Sequence, residues 1–372
     1  MVALYVGTVL SETLTFFLGT FCILAASYAL KENGGALAWW AACGALGGLA
    51  TMVRPDSGLL LGAAGGTMAL LALWEAWKNR QEDGAVMRSL KSALAKGAAL
   101  SLAFAAVLAP WTIRNAVVFR AFMPLSPVHA NMPGEFVPQG YYSWVRSWIT
   151  DQRYIDPFLW ELGTLPLDIS QLPAQACDST QERQRVAALF KSVNPEQGQA
   201  QSSQESSGSG DEEQGDEPLA GAEITPQADA EFMKLAEERR RSHPFRTFLL
   251  LPATRAVTMW FDTHSLYTPF EDELLPFSHL DWQSLDTLWL LLFMGLVWFH
   301  TVFGWLGAGV LFKEHESWQW LLLLLLLFAP RVIFFSTIEN PEPRYLVELF
   351  PFTSSLAGIA VAFVLGHRTH CY

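Results

Sequence analysis

The chain has 372 residues, 51% of them hydrophobic, and a formal net charge of −12 whose acidic excess lies between Trp111 and Leu285, outside the apolar runs. That balance excludes a nucleic-acid partner, which needs a basic face to neutralise phosphates. The length of the apolar runs excludes an ordinary soluble fold and points to a multi-pass membrane protein.

Taken in chain order, the first predicted span runs from about Val2 to Leu30, carries Glu12 and ends at a glycine turn, Gly34-Gly35. Met1 opens directly on this run without a basic segment, which argues against a cleaved signal peptide and for a natural chain that starts further upstream. Two apolar arms follow, Ala36 to Val53 and Ser57 to Trp77, each close to the roughly 20 residues that cross a bilayer. They meet at Arg54-Pro55-Asp56, where proline ends the first helix and biases Arg54 out of helical angles, so a transmembrane hairpin with a tight charged turn is expected. The stretch holding Lys78, Arg80, Arg88, Lys91 and Lys96 is the densest short basic loop, and the positive-inside rule assigns it to the cytoplasm. A fourth span, about Leu90 to Ala109, completes an N-terminal bundle over residues 1–109.

Residues 110–286 are then expected on the extracytoplasmic side. This segment opens with Pro110-Trp111-Thr112-Ile113-Arg114-Asn115 and continues through an aromatic patch of Tyr141, Tyr142, Trp144, Trp148, Tyr154 and Trp160. Ser179 to Ser192 reads as a helix with Ser179 and Glu182 spaced as a capping box. Glu196 to Glu223 is acid, Ser, Gln and Gly, too poor in apolar residues to offset the entropy of ordering, and is expected to be a disordered insert. Thr225-Pro226 marks the start of a helix that ends near His243-Pro244, its last turn bearing Arg239, Arg240 and Arg241 to suit the helix dipole. Phe245 to Phe261, interrupted by Pro252 and Arg255, reads as an interfacial or re-entrant helix. Three more spans fill residues 287–372: Leu288 to Phe312, Trp318 to Phe335 and Leu346 to Leu365. The expected fold is all-α, with about seven transmembrane helices, a long extracytoplasmic segment and no internal repeat.

On this topology three arginines stand at span ends on one side of the membrane: Arg54 beside Asp56, Arg114 beside Asn115, and Arg344 beside Tyr345. Guanidinium binds phosphate oxygens through two parallel hydrogen bonds and stays charged. The positive-inside rule makes such residues scarce on that face, so they point to a site for an anionic lipid headgroup, with ordinary flanking charges as the plainer reading. Glu12 needs a partner or a water-filled cavity, and a hydrogen bond to a neighbouring helix is its expected role. Asp262 with His264, His279 with Asp281, and His367 with His370 and Cys371 have spacing a metal could use, but none adds a second matched pair. No cofactor is therefore identified, and a divalent ion has no specific support. The four cysteines form neither a disulfide framework nor a zinc motif and read as packing residues.

Several short motifs occur in a telling order: Ser11-Glu12 in a span, Gly47-Gly48-Leu49-Ala50-Thr51-Met52-Val53-Arg54-Pro55-Asp56, Pro110 to Asn115 followed by Phe122-Met123-Pro124-Leu125-Ser126, and Arg344-Tyr345 before the last span. Together they resemble the bacterial C-type (GT-C) glycosyltransferases that use polyprenyl-phosphate sugars, the group of the protein O-mannosyltransferases and the aminoarabinose transferase of lipid A. The resemblance covers most of the membrane part and not the acidic insert. It implies an inverting transfer, at the outer face of the bacterial inner membrane, of a sugar from a polyprenyl-phosphate donor to an acceptor hydroxyl on a glycan, lipid or protein. It also implies that Arg54, Arg114 and Arg344 contact the donor phosphate, that Tyr345 orients a headgroup and that Asn115 fixes its loop. The family places its acid in a loop before the segment that matches Met1 to Leu30. The chain therefore resembles the family's central and C-terminal portion, and no catalytic base is assigned; Asp56 is the one acid open to nomination, and the family gives it no such role. Two other readings stand beside this one. The chain could be a scaffold or accessory subunit that binds a partner or glycan through the aromatic patch, or a transporter, against which stands the lack of an inverted repeat.

Overall fold

The computed structural model describes residues 11–31, 36–125, 135–195, 221–261, 277–313 and 318–366. Among these, regular structure is helical apart from one isolated bridge between Leu162 and Leu165, and seven helices are long and apolar enough to cross a membrane. The protein is an all-α, multi-pass membrane protein. In chain order the helices are α1 (Ser11–Lys31), α2 (Ala36–Val53), α3 (Gly58–Lys78), α4 (Ala85–Phe119), α5 (Gln139–Arg146), α6 (Thr180–Val193), α7 (Pro226–Ser242), α8 (Leu251–Phe261), α9 (Leu285–Lys313), α10 (Trp318–Ser336) and α11 (Phe350–Val364). They form two compact units. The membrane unit comprises Met1–Pro133, Ser265–Phe334 and Pro343–Tyr372; the second comprises Gly134–His264 and Phe335–Glu342. The N- and C-terminal spans fall in the same compact unit.

In the membrane unit, the Arg54-Pro55-Asp56 join behaves as its chemistry dictates. α2 stops at Val53, Arg54 is extended, and a 3-10 turn over Pro55–Ser57 leads into α3. The arms do not pack mainly on each other. α2 lies against α4 instead, with Gly44 at the carbonyl of Leu100 and Gly48 at Val107 and Phe104, numbers that rise together and so make the two helices parallel. A Cβ at Gly44 would fall inside the Leu100 carbonyl oxygen, so glycine is what permits this approach. Gly304 and Gly307 of α9 meet Thr353 and Leu356 of α11 in the same way. α3 and α10 run antiparallel, with Gly66 at Leu326 and the rings of Trp74 and Trp318 6.0 Å apart. Cys22 and Cys43 are buried between α1 and α2 with sulfurs 3.6 Å apart, as packing residues.

One boundary differs from expectation. The fourth span does not end at Ala109 but continues through Pro110 to Phe119. Proline removes one backbone donor and crowds the carbonyl four residues back, at Ala106, a defect that membrane helices tolerate in their interior. The helix ends where Arg120 turns left-handed, with φ 52. The last span is likewise composite, a 3-10 segment over Pro343–Leu349 followed by α11.

The second unit is built on the residues expected to form an aromatic binding patch, and the structure corrects that expectation. Tyr141, Trp144, Val145 and Trp148 recur at helical spacing, and all are buried in the core with Phe158, Phe190 and Phe232. Trp144 and Tyr141 lie 5.2 and 5.1 Å from Phe232, and the Tyr141 hydroxyl donates to the Phe158 carbonyl at 2.8 Å. Of the patch, Trp160 alone keeps substantial exposure, at 38%. The reason is periodicity: one apolar face on a short amphipathic helix is a core face first.

The capping signals of this unit hold. Ser179 accepts from the Glu182 N–H at 3.1 Å, while the Glu182 carboxylate takes the Asp178 N–H one residue short of the reciprocal box. Thr225 accepts from the Ala228 N–H at 3.2 Å, with Pro226 opening α7. Arg239, expected to complement a helix dipole, is instead buried, bound to Glu182 at 3.0 Å and to the carbonyls of Ala176 and Gln175. Most of the acidic insert, residues 196–220, lies outside the described residues. Its last three residues belong to the core edge, where Ala222 is buried and donates to the Leu165 carbonyl at 3.0 Å. Residues 245–261 form a π turn (Arg246–Leu250) followed by α8 and are not among the seven candidate spans.

Asp178 links α6 and α7 and sets a pH dependence. Arg246 grips both its oxygens, at 2.6 and 2.8 Å, and holds its carboxyl below the usual carboxylate range. A carboxyl whose folded pKa is depressed stabilises the fold fully above the unfolded value of about 4 and loses that contribution as pH falls through the folded value. Chemical unfolding of wild type and Asp178→Asn is therefore expected to differ at neutral pH and to converge as pH falls well below the usual carboxylate range. A gap that stays constant down to acid would disprove this role.

Candidate functional site

The membrane unit gathers its charges at one end. α1 contributes Glu12, the α2–α3 turn Arg54, Asp56 and Ser57, α10 Arg331, and the 3-10 segment Arg344, Tyr345 and Glu348. These side chains form a series of alternating sign. Arg54 Nη1 lies 2.5 Å from Glu12 Oε1, and Arg54 Nε donates to Asp56 Oδ1 at 3.1 Å. Arg331 Nη2 donates to the other Asp56 oxygen at 2.5 Å, and its Nη1 lies 2.8 Å from Glu348 Oε2. Ser57 closes the series by donating to Glu348 at 3.1 Å, while Arg331 Nε donates to the Tyr345 carbonyl at 2.7 Å.

Burial makes this arrangement consequential. Arg331 is 1% exposed, Glu12 4% and Glu348 5%, so each ion has exchanged water for protein partners and depends on them. Three carboxylates stand against two guanidiniums in the series, and a third cation, Arg344, sits beside it. Arg54 and Arg344 each place Cζ 5.5 Å from the ring centroid of Tyr345, a cation–π distance. With Arg344 counted, the cluster is neutral: three acids, three arginines.

Of the three expected phosphate-binding arginines, Arg54 and Arg344 therefore each lie against the Tyr345 ring, and Arg54 has Glu12 and Asp56 as immediate neighbours. Arg114 is not part of that group. It is exposed, donates to Asn115 at 3.1 Å and lies over the Trp111 ring at 5.0 Å. The parallel register of α2 and α4, with residue 48 opposite residues 104 and 107, sets Arg114 close to the level of Arg54 at the same end of the unit. Asn115 is buried and donates to the Met123 carbonyl at 2.9 Å, tying the chain after α4 back to the helix. Glu12, expected to hydrogen-bond a neighbouring helix, accepts from Arg54 Nη1 in the α2–α3 turn as a charged pair.

Arg331 and Glu348 went unremarked in the sequence, although both lie inside predicted spans. An arginine in a leucine-rich helix and an acid in the last apolar run are each costly in hydrocarbon, and that cost was the available signal.

Among the described residues no group of His, Cys, Asp and Glu could hold a metal ion. Asp262, His264, His367, His370 and Cys371 lie outside the described residues, as does the His279 side chain. Comparison of the chain with protein-family models, with curated proteins and with solved structures found no match.

Proposed function

We propose that the chain belongs to a membrane glycosyltransferase that takes a sugar from a polyprenyl-phosphate donor and passes it to an acceptor hydroxyl on the extracytoplasmic face of the bacterial inner membrane. The observation that carries this reading is the pairing of Arg54 and Arg344 on the Tyr345 ring, each at 5.5 Å, at one end of a bundle of apolar helices. A lipid-linked phosphate presents its charge at the end of a span, where these two planar cations can bind it bidentately. Arg344, half-buried, is the principal phosphate contact. Arg54 already holds Glu12 and Asp56, so it contributes positive potential and engages the phosphate only as Glu12 loosens. Arg114, exposed near the same level, serves the rim.

In the reaction, the acceptor oxygen bonds to the anomeric carbon as the bond from that carbon to the phosphate oxygen breaks, and the arginines stabilise the departing polyprenyl phosphate. The acceptor's proton must go to a base. Glu12, Asp56 and Glu348 are each committed to a guanidinium, and we assign the base to none of them.

The test is donor binding by the full chain in lipid nanodiscs, using a polyprenyl-phosphate monosaccharide. Hydrogen bonds to a charged group are worth about 1.5–3 kcal/mol, so Arg344→Gln is expected to raise Kd by at least about tenfold, with Arg344→Lys recovering part of the loss. Wild-type affinity in both Arg344→Gln and Tyr345→Ala would sink the donor site.

A further inference from the structure

The second unit holds a cleft of about 300 Å³, bounded by α5, α7 and the start of α8, that the donor site does not use. Small-ligand pockets span roughly 300–1,000 Å³, so this one is the size of a headgroup. Three arginines line it: Arg146, Arg240 and Arg255, with hydroxyls from Ser143 and Thr337. Arg255 is 2% exposed and donates to the carbonyls of Ile149 at 2.8 Å, Ser336 at 3.3 Å and Arg146. Among the described residues no carboxylate lies within ion-pair distance of it; three carbonyls hold the buried cation, and Glu339 acts on it only from further away. Burial pulls its pKa down to about 10, which leaves it charged at neutral pH.

The rest of the cleft does not cancel that charge. Arg146 approaches Glu339 only to 3.6 Å, Arg240 is exposed, and Glu237 is held by Arg241 at 2.9 Å. Three arginines and one glutamate line it, and counting the partners Arg241 and Glu339 leaves the same positive excess. It also opens onto apolar surface: Phe248 lines it at 68% exposure, and Phe245, Leu249, Val257 and Phe261, spaced mostly by helical turns, are exposed as well. Thr337, on its wall, directly follows Ser336, the last residue of α10.

We propose that this cleft binds the phosphodiester headgroup of an anionic bilayer phospholipid, with the acyl chains lying along the exposed apolar strip from Phe245 to Phe261. Cations beside an exposed apolar helix face are the two elements that anionic membranes recognise. A free phosphate ion would use the same arginines but has no use for the strip, and the experiment separates the two.

The full chain is reconstituted in phosphatidylcholine nanodiscs with a minor fraction of phosphatidylglycerol, and retained lipids are counted by native mass spectrometry. Wild type is expected to retain phosphatidylglycerol preferentially. Each cation near a membrane surface is worth roughly a fivefold change in anionic-lipid affinity, so Arg146→Gln with Arg240→Gln, both solvent-accessible and spared the buried Arg255, is expected to cut the preference by about an order of magnitude. Phe248→Ser with Leu249→Ser is expected to reduce retention of both lipids. An unchanged preference in the arginine double variant overturns the proposal. So does phosphate-31 line broadening by millimolar inorganic phosphate, lost in that variant, without any phosphatidylglycerol preference in wild type. Arg344→Gln, in the donor cluster, is expected to leave the preference intact; if it abolishes it, the lipid is read there and not in the cleft.

Discussion

Replacing Arg331 with methionine is expected to destabilise the membrane unit by about 3–5 kcal/mol, the usual cost of removing one partner from a buried ion pair. The guanidinium is 1% exposed and serves two carboxylates from different parts of the chain, Asp56 at 2.5 Å and Glu348 at 2.8 Å. Asp56 would keep Arg54, but among the described residues Glu348 would retain the neutral Ser57 hydroxyl as its hydrogen-bond partner, with Arg54 acting on it from further away. The loss should therefore trace mainly to Glu348, and adding Glu348→Gln to Arg331→Met should recover much of it. Unfolding in mixed micelles, followed by the exposure of α10, measures both. A single variant within 1 kcal/mol of wild type, or a double variant no better than the single, would show that these charges do not depend on one another.

Trp144→Ala is the second large effect, about 3–5 kcal/mol from lost transfer energy and the cavity left behind. Trp144 is fully buried, with its ring 5.2 Å from Phe232, 5.6 Å from Trp148 and 5.9 Å from Phe190, so no neighbour can collapse into the space without disturbing the others. Trp160→Ala, at a partly exposed position, is expected to change stability by no more than about 0.5 kcal/mol. Hydrogen exchange across α5 and α7 of the full chain under mild denaturant reports the difference. Equal protection in the two variants, together with a glycan that quenches Trp144 fluorescence in the folded chain, would restore the aromatic patch as a binding surface.

Those two residues also mark where the sequence was legible. Positions governed by local chemistry read directly: Pro55 sets the α2–α3 join, Ser179 and Thr225 set helix starts, and unbroken apolar runs set the spans. Positions governed by a distant partner did not. Pro110 looked like a terminator because nothing nearby in sequence shows that a membrane helix can tolerate it. Arg239 looked like a dipole partner because Glu182 lies 57 positions away. The aromatic residues looked like surface because their polar neighbours hid a single helical face. The donor cluster was half legible: Arg54, Asp56, Arg344 and Tyr345 stand at span ends, whereas Arg331 and Glu348 sit within apolar runs, where the counter-charge that explains them is visible only in three dimensions.

The alternating charges also constrain how the protein is made. Glu12 and Arg54 leave the ribosome close together and can neutralise each other at once, but Asp56 and Arg331 are separated by 275 positions. An arginine at the centre of a membrane helix costs about 2.5–3.5 kcal/mol on insertion scales, and Arg331, in the last third of α10, meets part of that cost until it reaches Asp56. α10 therefore enters best by docking straight onto the waiting α2–α3 turn, which requires the early spans to linger at the insertion machinery through translation of the whole second unit.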